Sequence, residues 1–236
     1  GGIRMTGLAR YLPELGWRVT VVTPRVASAG PRVPGTVVET ADRDLGAWLK
    51  RRLGLRSDAA LKDLVGSAGA PPSERLRSRL IDTAKALMAV PDTNRGWIRP
   101  ATEAAREVIA RDPVDCLLTT SPPPSAHVAG ARLVRDLELP WVADLRDLWW
   151  DDRYSTAPRW RRLLDRKLER RTLANADALV TVSTPWAREL ERLHRQPVHT
   201  ILNGFDPAWK APPPSLEPTL TLTHAGTLHQ GRRDPS

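Results

Sequence analysis

Asp144, Arg146 and Asp147 stand within four residues of one another, in Trp141-Val-Ala-Asp-Leu-Arg-Asp-Leu-Trp149. Carboxylates can orient or deprotonate a hydroxyl, and a guanidinium can neutralise a phosphate through paired hydrogen bonds. The apolar run Trp141-Val142-Ala143 predicts a buried strand that empties into these charges. In open α/β sheets ligands bind at the carboxyl ends of strands, so the stretch has the make-up of one wall of a cleft. A structural alternative stands beside it. Asp144 would cap the next segment, Arg146 would pair with Asp147 or Asp151, and the tryptophans would be core.

Three other stretches carry chemistry-bearing residues. Gly1-Gly2-Ile3-Arg4 opens a helix, whose first backbone amides form an anion site that glycine lets a phosphate or sugar approach. A plain strand-to-helix turn explains it equally well. Ser121-Pro-Pro-Pro-Ser125-Ala-His127 follows another predicted strand. Ser125 is a candidate N-cap, and His127 either faces the same cleft as Asp144 or serves packing. Asn203-Gly204-Phe205-Asp206 forms a turn before a proline-rich segment.

Other chemistries are excluded. The single cysteine, Cys116, lies in an apolar run, so no intrachain disulfide or cysteine zinc cluster is available, and a buried small hydrophobe is expected there. The histidines lack metal-ligand spacing. Neither a P-loop nor a Gly-x-Gly-x-x-Gly fingerprint occurs, which argues against a dehydrogenase. No run reaches the roughly 18 apolar residues of a membrane span. The net charge of +9 comes from arginine and favours anionic partners. Arginine in place of lysine, with abundant alanine, also fits a GC-rich genome, which has no bearing on ligand.

The elements that must position these residues follow an alternating rhythm. Ile3 to Leu15 is a predicted helix with Met5, Leu8, Leu12 and Leu15 as its stripe, stopped at Gly16. Trp17 to Thr23 is a strand rich in β-branched residues. Pro24 to Pro72 is an elaborated crossover with short helical pieces around Leu45–Leu53 and Ala59–Val65. Ser73 to Val90 and Ala101 to Ala110 are helices around a loop at Pro91–Trp97. Strands follow at Asp115–Thr120, Pro140–Asp144, Asp177–Ser183 and His199–Leu202. Helices lie between them at Ala126–Leu137, Trp160–Leu173 and Thr184–Leu193. This rhythm predicts an α/β fold with a doubly wound parallel sheet. The helix at Arg159–Arg171 has an apolar stripe, Trp160, Leu164 and Leu168, and a basic one, Arg162, Arg166 and Arg170. The basic stripe is either a solvated face paired with Asp165 and Glu169 or a docking face for an anionic membrane.

In order along the chain, Gly1-Gly2-Ile3-Arg4, Gly16-Trp-Arg-Val-Thr-Val21 and Thr120-Ser-Pro-Pro-Pro-Ser125 are followed by Val142-Ala-Asp-Leu-Arg-Asp-Leu-Trp149. Then come Asn175-Ala-Asp-Ala-Leu-Val-Thr-Val-Ser183, Asn203-Gly-Phe-Asp206 and His224-Ala-Gly-Thr-Leu228. The set resembles the N-terminal domain of family-4-like glycosyltransferases with the GT-B fold, the retaining nucleotide-sugar enzymes. The resemblance implies a Rossmann-like acceptor-side domain over residues 1–206, a proline-rich interdomain linker over 207–218 and the first strand of a donor-binding domain over 219–236. It implies that Gly1, Gly2 and Arg4 lie beside the donor phosphates and acceptor. It puts Asp144, Arg146 and Asp147 near the acceptor hydroxyl or reacting sugar, with Ser125, His127, Trp149 and Asn203 as further substrate-binding candidates. Many relatives have a histidine after the strand equivalent to Trp141–Ala143, where this chain has acids and an arginine.

The resemblance implies transfer of a sugar from a nucleotide-sugar to a glycan or lipid-linked acceptor, in cell-envelope or exopolysaccharide synthesis. No metal or other cofactor is expected, and the location expected is the cytoplasm, with peripheral attachment to the inner face of the plasma membrane through the basic helix. The strand before the first helix and most of the donor domain are expected to lie outside this sequence, so the chain alone is expected to be inactive and weakly stable. An epimerase on the same two-domain plan would use the nucleotide-sugar without an acceptor. A basic nucleic-acid-binding module is permitted by the charge, but the basic residues are spread over many helices and form no recognised motif, so no nucleic-acid partner is expected.

Overall fold

The structure is a computed structural model of the chain, and it describes residues 2–25, 33–41, 90–149 and 158–206. Gly1–Gly204 form one compact unit. The second unit begins at Phe205, of which only Phe205 and Asp206 lie among the described residues. The helices expected around Leu45–Leu53 and Ala59–Val65, that at Ser73–Val90 except for Val90 itself, the linker at 207–218 and the strand at 219–224 lie outside them.

The chain enters through helix α1, Gly2–Tyr11. Pro13 cannot donate to a continuing α-helix, and the next turn tightens to a 3-10 helix, Leu12–Leu15. Gly16 ends it in the left-handed conformation at φ 86°, where a side chain would be strained. Leu15, expected on the apolar stripe, is exposed because the tighter turn rotates it away.

Two parallel strands follow, β1 (Thr20–Pro24) and β2 (Thr36–Thr40), paired from Thr20 opposite Thr36 to Pro24 opposite Thr40. β2 falls in the stretch expected to be a crossover. Its Thr-Val-Val-Glu-Thr run is too short and too exposed for a clear period. Helix α2, Ile98–Arg111, packs on this pair. Trp97, Ile98 and Ala101 bury against Val22 on one side and Ala126, Val128 and Ala129 on the other. The Trp97 indole N–H donates to Thr40 Oγ1 at 2.6 Å, tying the start of α2 to the end of β2.

The second sheet is parallel, in the order β3 (Leu117–Ser121), β4 (Trp141–Leu145), β5 (Ala178–Thr181), β6 (Val198–Thr200). Helices α3 (Ser125–Leu137), α4 (Arg159–Leu173) and α5 (Thr184–Leu193) alternate with these strands. The main core lies between sheet and helices, with Trp141, Ala143, Leu145, Leu173, Leu179 and Leu190 at its centre. α3 approaches the sheet closely at Gly130. A Cβ there would stand 2.6 Å from a Thr119 methyl and 3.2 Å from the Trp141 ring, so glycine is required.

The α/β class and parallel pairing agree with the expectation. The described strands nevertheless fall in two sheets. Cys116 departs from its expected place in the core. β3 begins one residue later, and Cys116 is exposed in the approach to it. Partial burial and the neighbouring Asp115 push its thiol pKa up, so little reactive thiolate forms.

Candidate functional site

The strand register builds the site. Within β3 and β4, Thr120 lies opposite Asp144, and Ser121 opposite Leu145. Successive side chains alternate between faces, so Thr120 and Asp144 share one face at the carboxyl end of the sheet. Thr120 Oγ1 donates to Asp144 Oδ2 at 2.8 Å. α1 lies over this face and contributes Arg4. Its guanidinium donates to both carboxylate oxygens, Nε to Oδ2 at 3.2 Å and Nη2 to Oδ1 at 3.0 Å. Asp144 is only 1% exposed. A buried carboxylate needs this pairing, since removing its charge from water is otherwise costly.

Arg4 also reaches beyond β6. Its Nη1 donates to the Leu202 carbonyl at 3.1 Å and to Asn203 Oδ1 at 3.4 Å. One side chain thus joins the first helix, the end of β4 and the segment after β6. Arg146 continues the constellation. Its backbone N–H donates to the Ser121 carbonyl at 3.2 Å, extending the β3–β4 ladder. Its Nε donates to Thr120 Oγ1 at 3.3 Å and its Nη2 to the Pro122 carbonyl at 2.9 Å. Asp147 follows, exposed. Trp149 is half-buried, and its indole nitrogen is buried without a hydrogen-bond partner.

The structure therefore brings Arg4, Asp144, Arg146 and Asn203 into one connected set, with Asp147 and Trp149 on the strand exit beside it. Gly2 forms the start of α1, and a Cβ there would meet nothing within 4 Å. Gly1 lies outside the described residues. Both oxygens of the buried Asp144 carboxylate accept hydrogen bonds from neighbouring side chains, Oδ1 from Arg4 and Oδ2 from Arg4 and Thr120.

Ser125 and His127 are corrected more sharply. Ser125 is the first residue of α3, and the N-cap position belongs to Pro124, which has no side-chain hydrogen bond to give. Asp92 performs the capping from 33 residues earlier, accepting from the Ser125 N–H at 2.6 Å and the Ser125 hydroxyl at 2.7 Å. The same carboxylate accepts from the Asn94 N–H at 2.6 Å, which holds the loop in place. The anion site at this helix start is thus filled by the chain's own carboxylate.

His127 lies on the opposite face of β3 from Asp144. Its Nδ1 is 2.7 Å from the hydroxyl of Thr119, which also accepts from the Trp141 indole N–H at 2.8 Å. Burial lowers its pKa from 6.5 to about 3, so the ring is neutral at ordinary pH. It cannot face the cleft because Thr119 and Thr120 point to opposite sides of the strand.

Sequence reasoning missed Thr120 and Asp92. Thr120 ends a predicted strand and opens the proline-rich motif, and its β-strand parity relative to Asp144 is the available signal. Asp92 sits in a loop, Pro91-Asp-Thr-Asn, with no local sign of a distant helix end. A buried Glu169–His194 pair was also unforeseen, with Oε1 and Nε2 3.1 Å apart. It fastens α4 to the end of α5.

No curated protein and no solved structure matches the chain. The family model described as glycosyl transferase 4-like domain matches residues 1–204. That span holds both described sheets and the Arg4–Asp144–Arg146 constellation, and the chain belongs to the glycosyl transferase 4-like domain family.

Proposed function

We propose that this chain is the acceptor-side domain of a retaining, GT-B type glycosyltransferase. It moves a sugar from a nucleotide-sugar to a glycan or lipid-linked acceptor in bacterial cell-envelope or exopolysaccharide synthesis. The observation that carries the reading is the cationic, hydrogen-bonded cluster at the carboxyl ends of β3 and β4, with Arg4 fixed on Asp144 and Arg146 fixed on Thr120. In the reaction the bond from the sugar C1 to the diphosphate oxygen breaks, the acceptor oxygen bonds to C1, and the acceptor proton passes to the departing diphosphate. Negative charge grows on the leaving diphosphate, and positive charge on the sugar ring.

In this reading Arg4 and Arg146 offer positive charge toward the diphosphate. Asp144 and Thr120 are positioning groups that hold these guanidinium groups in one orientation, which lowers the reorganisation needed in the transition state. Asp147, exposed beside them, accepts a hydrogen bond from the acceptor hydroxyl. Trp149, half-buried beside them, offers a flat surface for a sugar ring. A lipid-linked acceptor draws the chain to the inner face of the plasma membrane as a peripheral protein.

The test incubates the full-length gene product with a panel of nucleotide-sugars and follows nucleoside diphosphate release, with and without an extract of lipid and glycan acceptors. Acceptor-dependent release is expected. Arg146→Ala and Asp147→Ala should each lower its rate about 100-fold, the scale of losing one preorganised electrostatic group. Release without acceptor, or recovery of an isomerised sugar, would replace the transferase by an epimerase or hydrolase.

A further inference from the structure

We propose that Asn203 is a site of spontaneous deamidation, and that the carboxylate it becomes pairs with Arg4 and lowers the positive charge at the cleft. The chain has three asparagines, Asn94, Asn175 and Asn203, and asparagine is among the heat-labile side chains. The reaction requires the backbone nitrogen of the following residue to attack the side-chain carbonyl. At Asn94 that nitrogen belongs to Arg95, whose N–H donates to the Asp92 carbonyl at 3.4 Å. At Asn175 it belongs to Ala176, whose N–H donates to the Leu173 carbonyl at 3.0 Å. At Asn203 it belongs to Gly204, whose N–H donates to no group among the described residues.

The surroundings favour attack at this position. The last ladder bond of β6 runs from the Ile201 N–H to the Thr181 carbonyl at 2.8 Å, and residues 202–206 lie in no helix or strand. Asn203 and Gly204 are both exposed. Glycine leaves the attacking backbone free to turn, and the space beside it is open, since a Cβ at 204 would meet nothing within 4 Å. The amide oxygen of Asn203 accepts from Arg4 Nη1 at 3.4 Å. That guanidinium draws electrons from the carbonyl and stabilises the oxyanion formed when the nitrogen adds to Cγ.

Water is the only co-reactant. A solvent base takes the Gly204 amide proton as the nitrogen bonds to Cγ. The Cγ–Nδ2 bond breaks, ammonia leaves with a proton from solvent, and a succinimide ring remains. Water then opens the ring at Cγ to give aspartate, or at the backbone carbonyl to give isoaspartate. Aspartate puts a carboxylate oxygen where the amide oxygen stood, beside Arg4 Nη1, and isoaspartate puts its carboxylate on the same residue. Arg4 Nε and Nη2 already hold Asp144, so the neutral Arg4–Asp144 pair becomes a group with one net negative charge. That charge opposes an approaching diphosphate. The effect on the cleft rests on the transferase reading, and the modification rests on Asn203 and Gly204 alone.

The experiment stores the full-length gene product in neutral and in alkaline buffer and follows the tryptic peptide Gln196–Lys210 by mass spectrometry. Replacement of the side-chain NH2 by OH is expected there ahead of Asn94 and Asn175, and faster in the alkaline buffer. Gly204→Ala should convert about tenfold more slowly, because a side chain restricts the backbone that must turn inward. Asn203→Asp should lower acceptor-dependent diphosphate release about tenfold, the scale of one added charge several ångströms from an anion at a protein surface. Added salt should shrink that difference, which a purely structural effect would not show. Conversion of Asn94 or Asn175 while Asn203 stays intact, or equal conversion in Gly204→Ala, would overturn the site. Release by Asn203→Asp at the unmodified rate would overturn its effect on the cleft. No release from freshly purified protein with any donor would sink the transferase reading and leave the modification standing.

Discussion

The guanidinium of Arg4 grips the carboxylate of Asp144 at both oxygens, across 140 residues of sequence. This pair attaches α1 to the carboxyl end of β4. Its side chains are 11% and 2% exposed, so neither charge is well solvated if the other is removed. Arg4→Met is expected to cost about 3–5 kcal/mol, because it leaves a buried carboxylate without its partner. The double variant Arg4→Met/Asp144→Leu should recover a large part of that loss. Denaturant midpoints of the two single variants and the double variant check this. A double variant no more stable than Arg4→Met would mean that the pair contributes more than the relief of a buried charge.

Asp92 caps a helix from a distant loop. Asp92→Ala removes the acceptor for the Ser125 N–H, the Ser125 hydroxyl and the Asn94 N–H together. A loss of about 1–2 kcal/mol is expected, at the upper end for a helix cap. Amide hydrogen exchange should accelerate first at Ser125 and Asn94. Acceleration spread evenly over the unit would mean that the cap is not a local fastening.

His127 makes the domain sensitive to acid. Its folded pKa of about 3 lies below the ordinary 6.5, so the unfolded chain takes up the proton first. The sign follows directly: its contribution is undiminished above pH 6.5 and drains away as pH falls toward 3. The limiting loss is roughly 5 kcal/mol at 1.36 kcal/mol per pKa unit. His127→Asn cannot titrate there, and its stability should fall less steeply over the same range. Parallel curves of stability against pH for the two proteins would refute the assignment to His127.

Much of the fold was legible because its signals are local. The apolar runs at Trp141–Ala143 and Ala178–Val180 and the stripe of Thr184–Leu193 each announce their element within a few residues. Boundaries moved by one to three residues, as at β1 and α2, where the 3-10 turn at Arg95–Trp97 leads straight into the helix. β2 escaped because a short, half-exposed strand has no burial period to read. On α4 the heavy excess of arginine concealed which side faces solvent. Its direction is set by Glu169 and Thr172 burying inward, against the usual preference of such residues.

The sequence by itself determined the alternation of strands and helices, and that charged and polar residues gather where β3 and β4 end. Those properties depend on neighbours within one turn or one strand. The tertiary structure alone decided which of those residues touch one another. Parallel register sets Thr120 beside Asp144, strand parity sends His127 to the opposite face, and the placement of α1 puts Arg4 on Asp144. Each of these is a contact between distant segments, fixed by how elements pack and pair rather than by any local pattern.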